Sequence, residues 1–159
     1  MEIVCLRNVE RADLPRIYEF QLDPESNRIA VTNPRSAIAF NAHWAAALED
    51  PNVAAKSILV GDVLAGCISV FMTDGVSHVG YWLGREFWGK GIASKALALL
   101  MAEVTVRPVY ARVATSNGAS LRVLQKCGFV VERVWLAPAD DRYPECEEAL
   151  LILHQDTVS

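Results

Sequence analysis

Histidine is scarce in this chain, with three among 159 residues, and none stands in a cluster with cysteine. A zinc site, which gathers such ligands at close spacing, is therefore not expected. The four cysteines (Cys5, Cys67, Cys127, Cys146) form no C-x-x-C pair. They read as buried free thiols in a reducing cytoplasm. No run reaches the roughly 18 apolar residues of a membrane span. Met1-Glu2-Ile3-Val4 lacks the opening of a secretory signal. Basic residues are in deficit: 15 Lys and Arg against 19 Asp and Glu leave a net charge of −4. That excludes a surface built for nucleic acid, whose footprint is a basic patch. Repeats and low-complexity segments are also missing, and no domain boundary is visible. What remains is 52% hydrophobic over 159 residues, enough for one domain (residues 1–159) with a sizeable core.

The most informative stretch is Gly80-Tyr81-Trp82-Leu83-Gly84-Arg85-Glu86-Phe87-Trp88-Gly89-Lys90-Gly91-Ile92-Ala93-Ser94. It opens as a strand: Val76, Val79, Tyr81 and Leu83 are bulky and follow an Asp74-Gly75 turn. It closes as a helix, with Ile92, Ala96, Leu99, Leu100 and Val104 at helical spacing. Between them Gly89 and Gly91 remove side chains that would keep a ligand off the backbone. The first-turn amides have no partner within the helix and lie at its positive end. Such a turn binds phosphate or pyrophosphate, and Lys90 adds a positive charge. The plain alternative is a strand-to-helix turn that needs small residues.

Two nucleotide patterns fail. G-x-G-x-x-G breaks at Ser94, and no acidic residue sits at a strand end about 20 residues on. G-x-x-x-x-G-K-[ST] fits Gly84 and Gly89-Lys90 but meets Gly91 where a hydroxyl must hold magnesium. A phosphate turn without a metal-binding hydroxyl favours a coenzyme over a nucleoside triphosphate, and no metal is expected.

Along the rest of the chain, Glu2–Arg7 reads as a strand. Asp13 caps a helix with Leu14, Ile17, Tyr18 and Leu22 inward and Pro15 in its first turn. Residues 21–33, with Asp23-Pro24 and Asn33-Pro34, read as irregular. Asn33 and Pro34 open a second helix running to about Leu48, with Ile38, Ala42, Ala45 and Leu48 inward. Strands over 56–60 and 63–72 form a hairpin on Gly61-Asp62, with Gly66 a place for a bulge. A strand over 108–114 precedes a helix capped by Asn117 and stopped by Gly128, and strands over 129–136 and 149–153 close the chain. Helices interspersed in an antiparallel meander predict a mixed α+β sheet.

The strand, glycine turn and helix are followed about 25 residues later by Asn117-Gly118-Ala119-Ser120-Leu121-Arg122-Val123-Leu124-Gln125-Lys126-Cys127-Gly128-Phe129. Together these motifs resemble the GNAT superfamily of acetyl-coenzyme A-dependent N-acetyltransferases, nearest the ribosomal-protein N-terminal alanine acetyltransferase-like branch. The resemblance implies a mixed, mostly antiparallel sheet with helices on both faces and one splayed parallel strand pair that admits the coenzyme arm. It implies acetyl-coenzyme A as cosubstrate. The amides of Trp88, Gly89, Lys90, Gly91, Ile92, Ala93 and Ser94 would take the pyrophosphate. Trp82, Leu83 and Gly84 would offer backbone groups to the pantetheine, with the amide near Leu83 donating to the oxyanion. Asn117 resembles the family's pantetheine-contacting Asn, and a helix cap is compatible with that role. Many members carry a Tyr acid seven residues beyond that Asn, where this chain has Leu124. The ribosomal branch suggests Ser120 instead as the partner of the leaving sulfur.

Asp74, His78 and Glu86 are candidates for the base, and His78 titrates in the useful range. His78 also reads as a hydrogen-bonded strand residue, Asp74 as a turn residue and Glu86 as a rim residue. Asp140 and Asp141 could read a cationic acceptor. Residues 21–33, with His43 and Trp44, would form the other wall of the acceptor site, although a helix carrying Phe40, His43, Trp44 and Leu48 reads more as core than as substrate pocket. The acceptor is expected to be a peptide N-terminus or a small amine, without nucleic acid or membrane, and the chain a cytoplasmic monomer or homodimer. A catalytically silent acetyl-coenzyme A sensor is the competing class.

Overall fold

A computed structural model describes residues 3–155. A seven-stranded sheet runs in the order β1-β2-β3-β4-β5-β7-β6. Its strands are β1 (Val4–Asn8), β2 (Ala54–Val60), β3 (Val63–Thr73), β4 (Val76–Leu83), β5 (Val109–Ala114), β6 (Val130–Ala137) and β7 (Cys146–Leu153). Five α-helices join them: α1 (Leu14–Leu22), α2 (Pro24–Ala30), α3 (Ala37–Glu49), α4 (Ile92–Glu103) and α5 (Gly118–Lys126). Every adjacent pair is antiparallel except β4 and β5, which run parallel. The mixed α+β sheet with one parallel pair is the architecture expected. Glu2 lies outside the described residues.

Alternation along the strands divides the core between two faces. On one face Ile68, Val79 and Leu83 meet α4 and α5 through Ala96, Leu97, Leu100 and Leu124. Ile68, Leu97 and Leu100 are fully buried, each contributing about 1.5–3 kcal/mol by removal from water. On the other, Cys67 and Trp82 meet α1 and α3 through Ile17, Phe40 and Trp44. Gly66 sits beside a register shift that leaves Ala65 unpaired with β2. A Cβ on Gly66 would stand 2.0 Å from Trp82 O, so β3 and β4 approach there as only glycine permits.

Several local expectations are corrected. Residues 24–30 are helical: Pro24 is the first helical residue and the Asp23 side chain accepts from Ser26 N–H, so Asp23-Pro24 starts α2 rather than breaking the chain. Ser36, not Asn33, caps α3 by accepting from Ala39 N–H; Asn33 lies four residues before the first helical residue, with its N–H donating to Arg142 O at 2.7 Å. The buried face of α3 is Phe40 and Trp44 with Leu48 half-buried, whereas Ile38, Ala42 and Ala45 face outward. Asp13 makes no side-chain cap to α1. Its carboxylate accepts from Arg7 at 2.6 and 2.8 Å and from Ser57 Oγ at 2.9 Å instead. Leu22 and Leu99 are exposed, each on the solvent side of its helix. Of the four thiols only Cys67 is buried; Cys5 is exposed and the other two are half-buried.

Candidate active site

β4 and β5 pair only at Ser77 with Val109 and His78 with Tyr110. Beyond His78 they no longer pair, leaving a gap on that side of β4. The end of β4 is held to β3 on its other side: Gly84 N–H donates to Ala65 O at 2.9 Å, and Trp82 stands opposite Cys67. In an antiparallel ladder bonded and non-bonded pairs alternate. The backbone groups of Tyr81 and Leu83 therefore turn away from β3, into the gap. Leu83 O accepts from the Trp88 indole at 3.2 Å, which leaves Leu83 N–H as the group facing a ligand.

A cleft of about 330 Å³ occupies this gap, within the usual range for small-molecule sites. Its lining brings together most of the residues expected from sequence: Trp82, Leu83, Trp88, Gly89, Gly91, Ile92, Ala93, Ser94, Asn117 and Ser120. Gly89 and Gly91 take φ of +72° and +76°, left-handed values that glycine adopts without strain. Gly91 is the N-cap of α4 and offers no side chain, so the first-turn amides have no cap. Their polarity and the helix dipole make that end a receptor for an anion. Asn117 Oδ1 accepts from Ser120 N–H at 3.2 Å, so the cap reading of Asn117 holds and its Nδ2 is the group left for a ligand.

Lys90 and Gly84 do not line the cleft. Lys90 is exposed beside it. Gly84 is buried with the Phe20 ring against it, leaving no room for a Cβ, which would stand 2.5 Å from that ring, and its amide donates to Ala65 O of β3. His78 is also apart. It is buried between the rings of Phe71 and Tyr110, with centroids 6.0 and 5.8 Å away, and its Nδ1 lies 3.3 Å from Val76 O. It stands at the last paired position of β4 and β5, where the strands leave no gap. Asp74 is at φ +52° in its turn, Glu86 pairs with Arg16 at 2.9 Å, and Asp140 Oδ1 accepts from the amides of Arg142 and Tyr143. Burial, and then Arg35 and Arg142, push the imidazole of His43 below its ordinary value. Among the described residues lining the cleft none is Asp, Glu or His, and the one formal charge is Arg122.

Residues 21–33, expected to form the other wall of the acceptor site, contribute a wall to this cleft through α2. Ser26, Ile29 and Ala30 of α2 line the cleft. The Asp23 carboxylate at the start of α2 accepts from Arg85 Nε at 3.0 Å, clasping that helix to the segment after β4. Arg85 and Ser26 together hold the carboxyl down at about 2. Tyr81 is a lining residue that the sequence reading did not single out for the site. Its hydroxyl donates to Ser120 Oγ at 3.2 Å, joining the β4 and α5 walls. Leu124 is buried in the core and carries no polar group toward the cleft. The family model described as an acetyltransferase (GNAT) domain matches residues 4–130.

The chain belongs to the GNAT acetyltransferase family. Membership carries the enzyme class that the two motifs implied, an acetyl-coenzyme A-dependent N-acetyltransferase. A provisionally named ribosomal N-acetyltransferase, YdaF of Bacillus subtilis strain 168, is 27% identical over 146 residues, covering 82% of this chain and 80% of that one. Among solved structures, the spermidine N-acetyltransferase of Vibrio cholerae in complex with CoA and spermine superposes with a TM-score of 0.82 at 16% identity, over 96% of this chain and 95% of that one. RimL, a ribosomal L7/L12 α-N-protein acetyltransferase in complex with coenzyme A, gives 0.78 at 19% identity, over 96% and 94%. The two structural likenesses describe the fold. They differ in acceptor, so the choice of amine falls to this GNAT domain's own residues. Among the described residues no group of three His, Cys, Asp or Glu is placed to hold a metal ion, and no helix is long and apolar enough to cross a membrane.

Proposed function

We propose that this GNAT domain transfers an acetyl group from acetyl-coenzyme A to the α-amino group of a peptide, by direct attack within a ternary complex. The observation that carries the reading is the cleft itself: an uncapped helix N-terminus at one end, and the Leu83 amide, Asn117 and Ser120 along its length. The first-turn amides from Gly91 to Ser94 take the pyrophosphate. Leu83 N–H and Asn117 Nδ2 orient the pantetheine arm, and Leu83 N–H faces the oxygen on which charge develops. Ser120 faces the leaving sulfur.

Direct attack is favoured because no cysteine lines the cleft. Burial pushes Cys67 up to about 12 and raises Cys127 above its ordinary value, the opposite of what a thiolate nucleophile needs.

The acceptor class follows from the missing base. Without Asp, Glu or His in the cleft, the amine must arrive already neutral. At pH 7 an α-amino group, with a pKa near 7.7–8.0, is neutral in about one molecule in seven; an alkyl ammonium near 10.4 is neutral in about one in 2,500. A cleft without carboxylates also offers nothing to the second ammonium of a polyamine. Both points favour a peptide N-terminus.

The test begins with thermal shift. Acetyl-coenzyme A at about 100 times its dissociation constant stabilises by about 2.7 kcal/mol. Thiol release is then followed over a panel of peptides, polyamines and amino sugars. Peptides should turn over best, with kcat/KM rising through about pH 8 as the α-amino group loses its proton. Preference for spermidine would overturn the acceptor reading. Binding without turnover on any amine would favour the sensor.

A further inference from the structure

Both motifs assign work to the glycine turn and to α5, yet the β4 and α5 walls of the cleft are also joined by a side chain–side chain hydrogen bond that involves neither a motif glycine nor a charged group. Tyr81 lies on β4 two residues before Leu83, so its side chain leaves the strand on the same face, toward α4 and α5. Its ring packs against the main core. Its hydroxyl reaches Ser120 Oγ at 3.2 Å. Ser120 is in the first turn of α5, with its own N–H fixed by Asn117 Oδ1 at 3.2 Å, so backbone and hydroxyl are each held by a separate partner. A phenol is the more acidic hydroxyl of the two and the better donor, whereas a serine hydroxyl can accept and donate at once. With its oxygen accepting from Tyr81, Ser120 has its single proton left for a group in the cleft.

We propose that Tyr81 is a positioning residue for departure of the coenzyme thiolate, holding Ser120 so that the serine proton is aimed at the sulfur. This rests on the acetyl-transfer reading above. The amine lone pair forms the C–N bond, and collapse of the tetrahedral adduct breaks the C–S bond, whose electron pair stays on sulfur. The surplus proton on nitrogen leaves to water. Sulfur accepts the Ser120 O–H as its charge grows. The charge drawn onto Oγ is offset by the Tyr81 O–H, since linked hydrogen bonds polarise one another. Neither hydroxyl is ionised in the step, and the thiolate takes its proton from water after release. Burial raises the Tyr81 phenol above its ordinary value, against a smaller opposing effect of the Ser120 bond, so it remains a neutral donor at working pH. The family's acid position holds buried Leu124, and here a tyrosine hydroxyl enters from the strand instead.

The test uses coenzyme A bound to the whole protein. The bound thiol is titrated by its ultraviolet thiolate absorbance, as a difference against the desulfo analogue so that protein thiols and phenols cancel. The bound thiol should ionise at lower pH than free coenzyme A. Tyr81→Phe keeps the ring in the core and should reduce the acid dissociation constant of the bound thiol by about threefold to tenfold, the scale of one hydrogen bond. Tyr81→Phe should also lower kcat by about fivefold with coenzyme affinity nearly unchanged. In a Ser120→Ala background the same change should lower kcat no further, because its effect passes through the serine; a packing role would cost the same in both backgrounds. An unmoved thiol titration, or equal losses in the two backgrounds, overturns the proposal, as does failure of coenzyme A to bind. If the titration moves but no amine is acetylated, acetyl transfer falls and the Tyr81–Ser120–sulfur chain stands. If amines are acetylated and the titration does not move, Tyr81 falls alone.

Discussion

Gly91→Ala separates two reasons for a glycine. At φ +76° Gly91 is in the left-handed region, and the direction a Cβ would take is open. Gly75 is a matched control: φ +77°, equally open space, and a place in the turn between β3 and β4. An L-residue held there costs about 1–2 kcal/mol, so both variants should melt about 2–8 °C lower, at about 2–4 °C per kcal/mol in a domain of this size. Only Gly91 precedes the first-turn amides of α4. Relaxing its φ rotates the peptide that aims those amides, and the added methyl enters the space a phosphate would approach. Loss of one charge-assisted hydrogen bond, about 1.5–3 kcal/mol, raises the dissociation constant of acetyl-coenzyme A by at least about tenfold. Isothermal titration of both variants is the assay, with Gly75→Ala expected within twofold of wild type. Equal affinities in two folded variants would mean that the Gly91 turn serves only the backbone, and the phosphate-receptor reading would be lost.

Asp13 supplies a pH test. Led by the Arg7 hydrogen bond, its surroundings hold the carboxyl at about 2 against an ordinary 3.8. Its contribution, about 2 kcal/mol, is therefore complete above pH 5 and lost as pH falls through 4 toward 2. In denaturant titrations Asp13→Asn should be weaker than wild type at pH 7, and the gap should close on acidification. Asp23→Ala removes both the α2 cap and the Arg85 clasp, so the loosened wall should raise the KM for acetyl-coenzyme A more than it lowers kcat in steady-state kinetics. Leu124→Tyr, which by family analogy would restore an acid, instead forces a ring into a core position that is 2% exposed; a loss of about 1–3 kcal/mol in chemical denaturation is expected, without a gain in rate. Replacing each cysteine in turn by alanine should leave turnover intact, and an acetylated thiol found by mass spectrometry would rule out direct attack.

The parts of the fold readable from sequence are those where a few adjacent residues decide the backbone. Asp74-Gly75 adopts the left-handed pair that closes a two-residue hairpin, Asn117 caps α5, and Gly128 at φ +95° stops it. The strand–turn–helix at the centre of the site is local in the same sense. Asp23-Pro24 shows where local rules are two-sided, since the same dipeptide disfavours helix before it and starts one after it. In α3, alanine at six of thirteen positions leaves the periodicity degenerate. Which face turns inward was settled by Phe40 and Trp44 meeting Ile17 and Cys67, a fact about other elements.

The cleft's polarity belongs to this second kind. Tyr81 and Ser120 are 39 residues apart, and no spacing rule joins a strand residue to the first turn of a later helix. Their meeting depends on where β4 and β5 stop pairing, and His78 marks that point. Chemistry needing a gap between the strands begins beyond His78, which is why that imidazole, held between Phe71 and Tyr110, serves as packing. Apart from Arg122, the polar groups that line the cleft are neutral hydroxyls and amides. Such a site can stabilise charge that develops on an oxyanion or a thiolate, but it cannot remove a proton from a strongly basic amine. On the proposed acetyl-transfer reading, the choice of acceptor is tied to the same strand divergence that makes room for the coenzyme.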